Sequence, residues 1–432
     1  VNQHRDISIK VPVLTRVEGE GALHLQIKNG TIQELQLQIY EPPRLFEKML
    51  EGREPDEVID IVARICGICP VAYQMTAVQA FERLCQVEVS PWIRTMRRVF
   101  YYGEWLQSHA LHIHMLAAPD FLGFNNIIEM ASEHAAIVRR GLRLQALGND
   151  LIALFGARSV HPVGVQVGGF YHAPAVTDVA HIIKRLQAAK QDADELVRWT
   201  ASLPLPNEQQ EFVCVALRHT NEYPITEGRI ASSSGLNIDS DEYPDHFHEH
   251  QVPHSTALHS LLQDRPYLVG PLARINLNTD HLPAELHSLL TSCGIIFPSQ
   301  NMFHSIVARA AECWLAIDAA LRLLQDYTQP VQAAIPWQIR AGSGMMATEA
   351  PRGLLWHHYE LDEAGRVHTA RIIPPTSQNQ ARIEQDLRHA FESIDLNQKD
   401  DALRLRGETV IRNYDPCISC ATHFLQLDVH RD

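Results

Sequence analysis

Two cysteine pairs stand at opposite ends of the chain, Arg64-Ile65-Cys66-Gly67-Ile68-Cys69 near the start and Asp415-Pro416-Cys417-Ile418-Ser419-Cys420 near the end. A two-residue spacer lets both thiolates of one turn face a single ion, and two such turns complete four sulfur ligands. Read together, the pairs predict one metal site that ties the two ends of the chain across the fold. Few folds satisfy that constraint.

The remaining cysteines, Cys85, Cys214, Cys293 and Cys313, are scattered, so a disulfide framework is not expected and they should pack as small apolar residues. A chain of 432 residues, 45% of them hydrophobic, has ample material for a large core. Its formal charge of -14, with no polybasic run, argues against a nucleic-acid or anionic-membrane surface. No apolar stretch approaches the roughly 18 residues of a membrane span, and Val1 to Lys10 lacks the pattern of an export signal, so a cytoplasmic chain is expected. A signal on a partner protein would still be compatible with export of a folded complex.

Between Val11 and Tyr40, Leu23, Leu25 and Ile27, then Leu35, Leu37 and Ile39, alternate with polar residues around Asn29-Gly30, which predicts a β hairpin. Upstream, Gly19 of Thr15-Arg16-Val17-Glu18-Gly19 allows a close backbone approach. Phe46 to Leu50 reads as a helical turn, and Pro55-Asp56-Glu57 opens a helix running into the first cysteine pair. Apolar residues recur at helical spacing over Tyr73–Arg83, Trp92–Ala117, Asn126–Phe155, Val176–Ser202 and Met302–Gln325. These predict a central helical bundle.

His161 to Gly169 is a glycine-marked loop whose GxxxGG is too weak a signal for a nucleotide site. From Asn221 to Pro298 the helical period lapses into an irregular, partly stranded excursion. Within it His246, His248, His250 and then His254 allow a metal reading, although a polar histidine-rich loop near an interface is the commoner outcome for such a run. His109, His112 and His114 read as core histidines, each with one satisfied nitrogen. Trp337 to Gly353 is glycine-rich and ends in Pro351-Arg352-Gly353, a rigid turn able to hold a guanidinium over a buried site. A second hairpin is expected over Tyr359–Ile373, and a last helix over Ala381–Ile394.

The expected class is α+β, predominantly helical: a central long-helix bundle with N-terminal and peripheral β hairpins, its termini meeting at a buried metal site. It is read as one domain over 1–432, with a β region about 1–45, helical core about 55–220 and 300–330, the excursion about 221–298, and a metal-binding segment about 337–432. A zinc ion held by four cysteines would merely staple the ends. Yet zinc staples serve small domains short of core, and Arg64 and Asp415 beside the cysteines suit a site that handles charge.

Over nearly its whole length the chain resembles the large, catalytic subunit of nickel-iron hydrogenases. The resemblance rests on Arg16-Val17-Glu18-Gly19, Leu45-Phe46-Glu47, the Arg64–Cys69 turn, Ala350–Gly353 and the ending Asp415–His423, in that order and at matching separations. It implies that Cys66 and Cys417 are terminal nickel ligands, and that Cys69 and Cys420 bridge nickel to an iron carrying carbon monoxide and cyanide. It also implies Cys417 as the first base, Glu18 as the first proton relay, and Arg352 over the open metal position with Asp415 fixing it. Pro351, Arg352 and Thr376 would line the diatomic ligands. A magnesium or iron near the C-terminus would use Glu47, His423 and a backbone carbonyl around Ile372.

Two positions depart from the pattern. Ser108 appears where many membrane-attached relatives carry an aspartate, which implies a thinner outer charge shell, and Tyr73 stands where histidine is common, which implies altered hydrogen bonding to Cys69. Phe424 to Asp432 are read as a retained tail buried through Leu425 and Leu427, an uncut precursor being the alternative. The compact length, Cys69-Pro70-Val71-Ala72-Tyr73 and the ending look most like the cytoplasmic bidirectional branch linked to NAD(P). No cysteine set remains for a cluster and no Rossmann fingerprint follows a strand. The expected partners are therefore an iron-sulfur small subunit, together with diaphorase or NAD(P) reductase subunits. A dihydrogen-sensing regulator and a zinc-stapled interaction protein are the competing readings.

Overall fold

The computed structural model describes residues 6–396 and 398–423. The expected tail from Phe424 to Asp432 lies outside the described residues. Four long helices, Pro91–Leu111, Ala135–Gly156, Val176–Ala201 and Ser305–Gln325, pack side by side as the expected bundle. Their starts follow local chemistry. Ser90 accepts a hydrogen bond from Ile93 N at 3.3 Å, and Pro91 occupies the first helical position, where its missing N–H costs nothing.

Close approach of the first two bundle helices depends on glycine. A Cβ on Gly148 would stand 2.5 Å from Gln107 N and 2.6 Å from Gly103 O, backbone atoms that cannot swing aside. Gly148→Ala is therefore expected to lower stability by about 1–3 kcal/mol. The measurement is the denaturation midpoint, which should fall with little change in slope; an unchanged midpoint would show that the two helices separate freely.

The N-terminal sheet orders Ile7–Val11, Gly21–Lys28 and Thr31–Ile39 as neighbours, all antiparallel. Lys28 pairs with Thr31, so Asn29 and Gly30 form the expected two-residue turn, both at positive φ (52° and 73°). Its buried side, including Leu23, Leu25, Leu37 and Ile39, packs with the helices Pro375–Glu392 and Asp400–Asn413 in one apolar cluster. Another sheet orders Gly342–Ala350, Gly353–Leu361 and Val367–Ile373. Ala350 pairs with Gly353, which leaves Pro351 and Arg352 as the tip of a two-residue hairpin.

Several boundaries differ from expectation, each for a local reason. The helix expected to run to Ala117 changes at His112 to a π turn, His112–Ala117, before resuming as Ala118–Leu122. Arg16 takes the Leu116 carbonyl at 2.7 Å, so the altered turn leaves a carbonyl for a side chain from outside the helix. The Asn126–Phe155 helix is two, broken at His134 into Ile127–Glu133 and Ala135–Gly156. The 221–298 excursion is partly helical, because Pro271–Leu277 and Ala284–Ser292 are too short to show a convincing period. The last expected helix begins at Pro375 with proline in its first turn, and a further helix, Asp400–Asn413, follows it. Cys85, Cys214 and Cys313 are buried as expected, whereas Cys293 is only partly so.

Candidate metal centre

The first cysteine turn lies between the helices Pro55–Val62 and Pro70–Cys85, with Pro70 starting the second. The other cysteine turn follows Asp400–Asn413 and passes through the short helical turn Ile418–Ala421. Cys66, Cys69, Cys417 and Cys420 are all buried and free of disulfides, and their sulfurs lie within 4.8 Å of one another. The Sγ separations are 3.5 Å for Cys66 and Cys417, and 3.6 Å for Cys69 and Cys420. So the two ends of the chain meet.

Three contacts that sequence alone does not announce hold the turns together. Arg44 donates to Ile65 O at 2.7 Å and to Ser419 O, joining one carbonyl from each turn. Glu104, fully buried on the Pro91–Leu111 helix, accepts from Val71 N at 2.6 Å and Ala72 N at 3.0 Å at the start of the helix behind Cys69. Burial pushes its carboxyl well up, against the pull of those two N–H groups. Gly19, at φ 89°, brings the chain so near the second turn that a Cβ there would be 2.6 Å from Ile418 Cβ. That approach explains the bridge between Glu18 and Cys417, in which Ile418 N donates to Glu18 O at 2.9 Å.

The other expected residues gather around the sulfurs. Glu18 Oε2 accepts from Cys417 Sγ at 3.1 Å and from Ser419 N at 3.1 Å. Arg352, on its hairpin tip, donates to Asp415 O at 2.7 Å and to Asp415 Oδ1 at 3.0 Å, with both side chains buried. Burial opposes the guanidinium charge, but Asp415 and the cysteines outweigh it and hold Arg352 well above its usual range. Thr376 Oγ1 accepts from Cys417 N at 3.0 Å, and Pro351 is buried with its carbonyl accepting from Arg274 Nη2 at 2.9 Å. Glu47, Ile372 and His423 also meet. His423 Nε2 lies 2.7 Å from Ile372 O and 3.5 Å from Glu47 Oε1, which accepts from Ile372 N at 2.7 Å.

The two departures resolve differently. Tyr73 is buried, and its phenol is pushed well up by burial and by Cys420 and Cys69, yet its hydroxyl has no hydrogen-bond partner. No hydrogen bond from Tyr73 to Cys69 is present. Ser108 is buried with its hydroxyl unpartnered. Further along the chain, Asp120 binds Arg16 and accepts from Arg412 Nε at 2.7 Å and Nη2 at 3.0 Å. The histidines of the long helix each satisfy one nitrogen, as expected: His109 on Glu312, His112 on Arg412 O and His114 on Ala110 O.

A buried charge network underlies the hairpin tip, and sequence reading missed it. Arg274 donates to both oxygens of Glu312 at 2.7 Å, to Glu349 Oε2 at 3.0 Å and to Ala350 O at 2.8 Å. It also stacks over Trp105, 4.5 Å from the ring centre. Its hydrogen bonds to Ala350 and Pro351 fix the residues that carry Arg352.

The donor set fits soft transition-metal chemistry. Four thiols crowded into one buried cavity cannot all ionise without a cation, and thiolates favour nickel, iron and zinc over hard ions. Arg352 Nη1, Asp415 Oδ2 and Ser377 Oγ are buried without hydrogen-bond partners, so polar atoms remain for further ligands at the site.

Comparison with known proteins narrows the choice. Residues 44–140 and 254–423 match the family described as nickel-dependent hydrogenase, a span that includes all four cysteines. The chain is 32% identical to the alpha subunit of sulfhydrogenase 1 from Pyrococcus furiosus, over 98% of this chain and 99% of that one. It is 27% identical to a component of the F420-non-reducing hydrogenase of Methanothermobacter thermautotrophicus, over 96% and 95%. A crystal structure of an NAD+-reducing [NiFe]-hydrogenase in the H2-reduced state superposes with a TM-score of 0.84 at 26% identity, covering 98% of this chain and 100% of that one.

Proposed function

The chain belongs to the nickel-dependent hydrogenase family, as a catalytic large subunit, and on that premise we propose that its four cysteines hold a nickel-iron pair that cleaves dihydrogen reversibly into two protons and two electrons. The observation that carries the proposal is the convergence of Cys66, Cys69, Cys417 and Cys420 with Glu18 on the Cys417 sulfur. In this reading Cys66, Cys69, Cys417 and Cys420 would hold the metal pair, Cys66 and Cys417 as ligands of nickel and Cys69 and Cys420 as ligands shared with iron. When bound, the metal pair supplies an open position at which dihydrogen is polarised.

The protein's own groups then manage the proton. Cys417 is the first acceptor, and Glu18 takes the proton at 3.1 Å through Oε2, which Ser419 N holds in place. Glu18 is partly exposed, so the carboxylate faces both the sulfur and the way out. Arg352, locked by Asp415, keeps a fixed positive charge beside the sulfurs and retains Nη1 for donation. Thr376 accepts from Cys417 N and so keeps its O–H, which would be available to donate to a cyanide on the iron, with Pro351 lining the same ligands. Glu47, His423 and the Ile372 carbonyl are the donors for a magnesium or iron behind the second turn.

Electrons require a partner. Among the described residues the other four cysteines form no cluster, so an iron-sulfur small subunit is the proposed acceptor. Similarity to an NAD+-reducing enzyme supports onward transfer to NAD(P) through reductase subunits, which would place the complex in the cytoplasm. Among the described residues no helix is long and apolar enough to cross a membrane.

Infrared spectroscopy of the purified complex tests the proposal. Bands of metal-bound carbon monoxide and cyanide are expected, with one nickel per chain. Full loading with zinc and no such bands would replace the hydrogenase reading with that of a zinc staple. Reduction of NAD+ or NADP+ under dihydrogen tests the acceptor separately.

A further inference from the structure

The histidine-rich stretch has no part in the cysteine centre, yet the fold gives it a definite partner. Strands Phe247–His250 and His259–Leu262 pair antiparallel with His259 directly opposite His250, their ring centres 5.7 Å apart. The loop between them returns His254 to within 6.0 Å of His259, again between ring centres. Against these lies Glu384 of the Pro375–Glu392 helix, whose Oε1 accepts from His254 Nε2 at 2.8 Å and from Leu37 N at 2.9 Å. Ligand atoms of His254, His259 and Glu384 lie within 4.8 Å of one another.

One of these rings is in an unusual state. His259 is 2% exposed, and its Nε2 is buried without a hydrogen-bond partner, as is His250 Nδ1. An orphaned buried nitrogen is costly, and a cation is one way to satisfy it.

We propose that His254, His259 and Glu384 form a second metal site, separate from the cysteine centre, that takes a zinc ion. Two imidazoles and a carboxylate are a zinc donor set, and the 18% and 20% exposure of the His254 and Glu384 side chains leaves a route for water to the fourth position. Binding replaces the hydrogen between His254 and Glu384, and the imidazole then carries its proton on Nδ1. The ion clamps the loop 251–258 to the Pro375–Glu392 helix. Thr376, which holds Cys417 N, is eight residues earlier on that helix, about 12 Å along its axis, so the role is structural.

The test uses the purified complex with its cysteine centre loaded, stripped of loose metal by a chelator and titrated with zinc, then with cobalt as a spectroscopic substitute. One zinc per chain is expected, and the cobalt form should absorb in the visible without sulfur-to-cobalt charge-transfer bands. His259→Gln and Glu384→Gln should each weaken zinc binding by more than about 100-fold. His248→Gln, on an exposed ring facing Asp264, should leave it unchanged. Should His259→Gln fail to fold, Glu384→Gln alters only a partly exposed side chain and decides alone. Absence of zinc binding, sulfur bands in the cobalt spectrum, or full affinity in the folded variants would each overturn the assignment.

Discussion

Glu18→Gln is expected to cut turnover by about 10²- to 10⁴-fold, the usual worth of a positioned proton-transfer group, while nickel and iron per chain stay at the wild-type level. The reason is specific to this carboxylate. Its Oε2 accepts from both Cys417 Sγ and Ser419 N at 3.1 Å, so it is the first oxygen that a proton leaving the sulfur can meet. A glutamine carbonyl can keep the Ser419 bond and the fold around it. The amide cannot take up and release the proton. Dihydrogen-driven dye reduction and hydrogen-deuterium exchange should therefore fall together, with the carbon monoxide and cyanide bands unmoved. Exchange at the wild-type rate in a fully metallated variant would show that the proton leaves by another group.

Arg274→Met should destabilise the protein by about 3–5 kcal/mol, the range for removing one partner of a buried ion pair. Arg274, Glu312 and Glu349 are all completely buried, so neither carboxylate can turn to water when the guanidinium is gone. The balance of charge is legible in their titration. Burial opposes the Glu312 charge, but Arg274 and His109 outweigh it and hold Glu312 down at about 2. Burial wins at Glu349, which rises to about 7 even beside Arg274. One cation thus balances one full carboxylate.

The pH dependence follows from that balance. A carboxyl depressed in the folded state contributes stability above its unfolded value, near 4.5, and that contribution disappears as pH falls through about 2. In the variant the largest influence holding Glu312 down is gone and only the weaker one of His109 remains. The deficit against wild type should be largest near neutrality and shrink on acidification, as both carboxyls take up protons. Denaturation midpoints measured across that range provide the check. A deficit that does not vary with pH would mean that the lost packing over Trp105, not the charge, had been measured. The same variant frees the Ala350 and Pro351 carbonyls, so activity should fall before the fold does.

Much of the molecule is written in short-range chemistry. The bundle helices follow from apolar spacing with proline and serine at their starts, and the N-terminal hairpin from an Asn-Gly turn between alternating strands. Those signals are local, and sequence carries them undiluted. The Cys-x-x-Cys turns are local too, and their soft donors restrict the metal before any geometry is known. What spacing alone left open was whether the two turns meet, since 351 residues separate Cys66 from Cys417.

Tertiary structure decided that, along with everything that depends on residues distant in sequence but adjacent in space. Arg44 joining the two cysteine turns, Glu104 behind Cys69, and Arg274 beneath the Arg352 hairpin are each an ordinary charged residue in an unremarkable local pattern. Asp120 escaped notice for the same reason, and the loss of helical period around Arg274 hid the short helix that carries it. His254, His259 and Glu384 make the point again, since only a paired strand and a crossing helix bring 384 to 254. Sequence determined which groups were available and which segments would be helix or hairpin. Burial determined which charges had to find each other, because an ion taken out of water must be met by a partner wherever the chain places one.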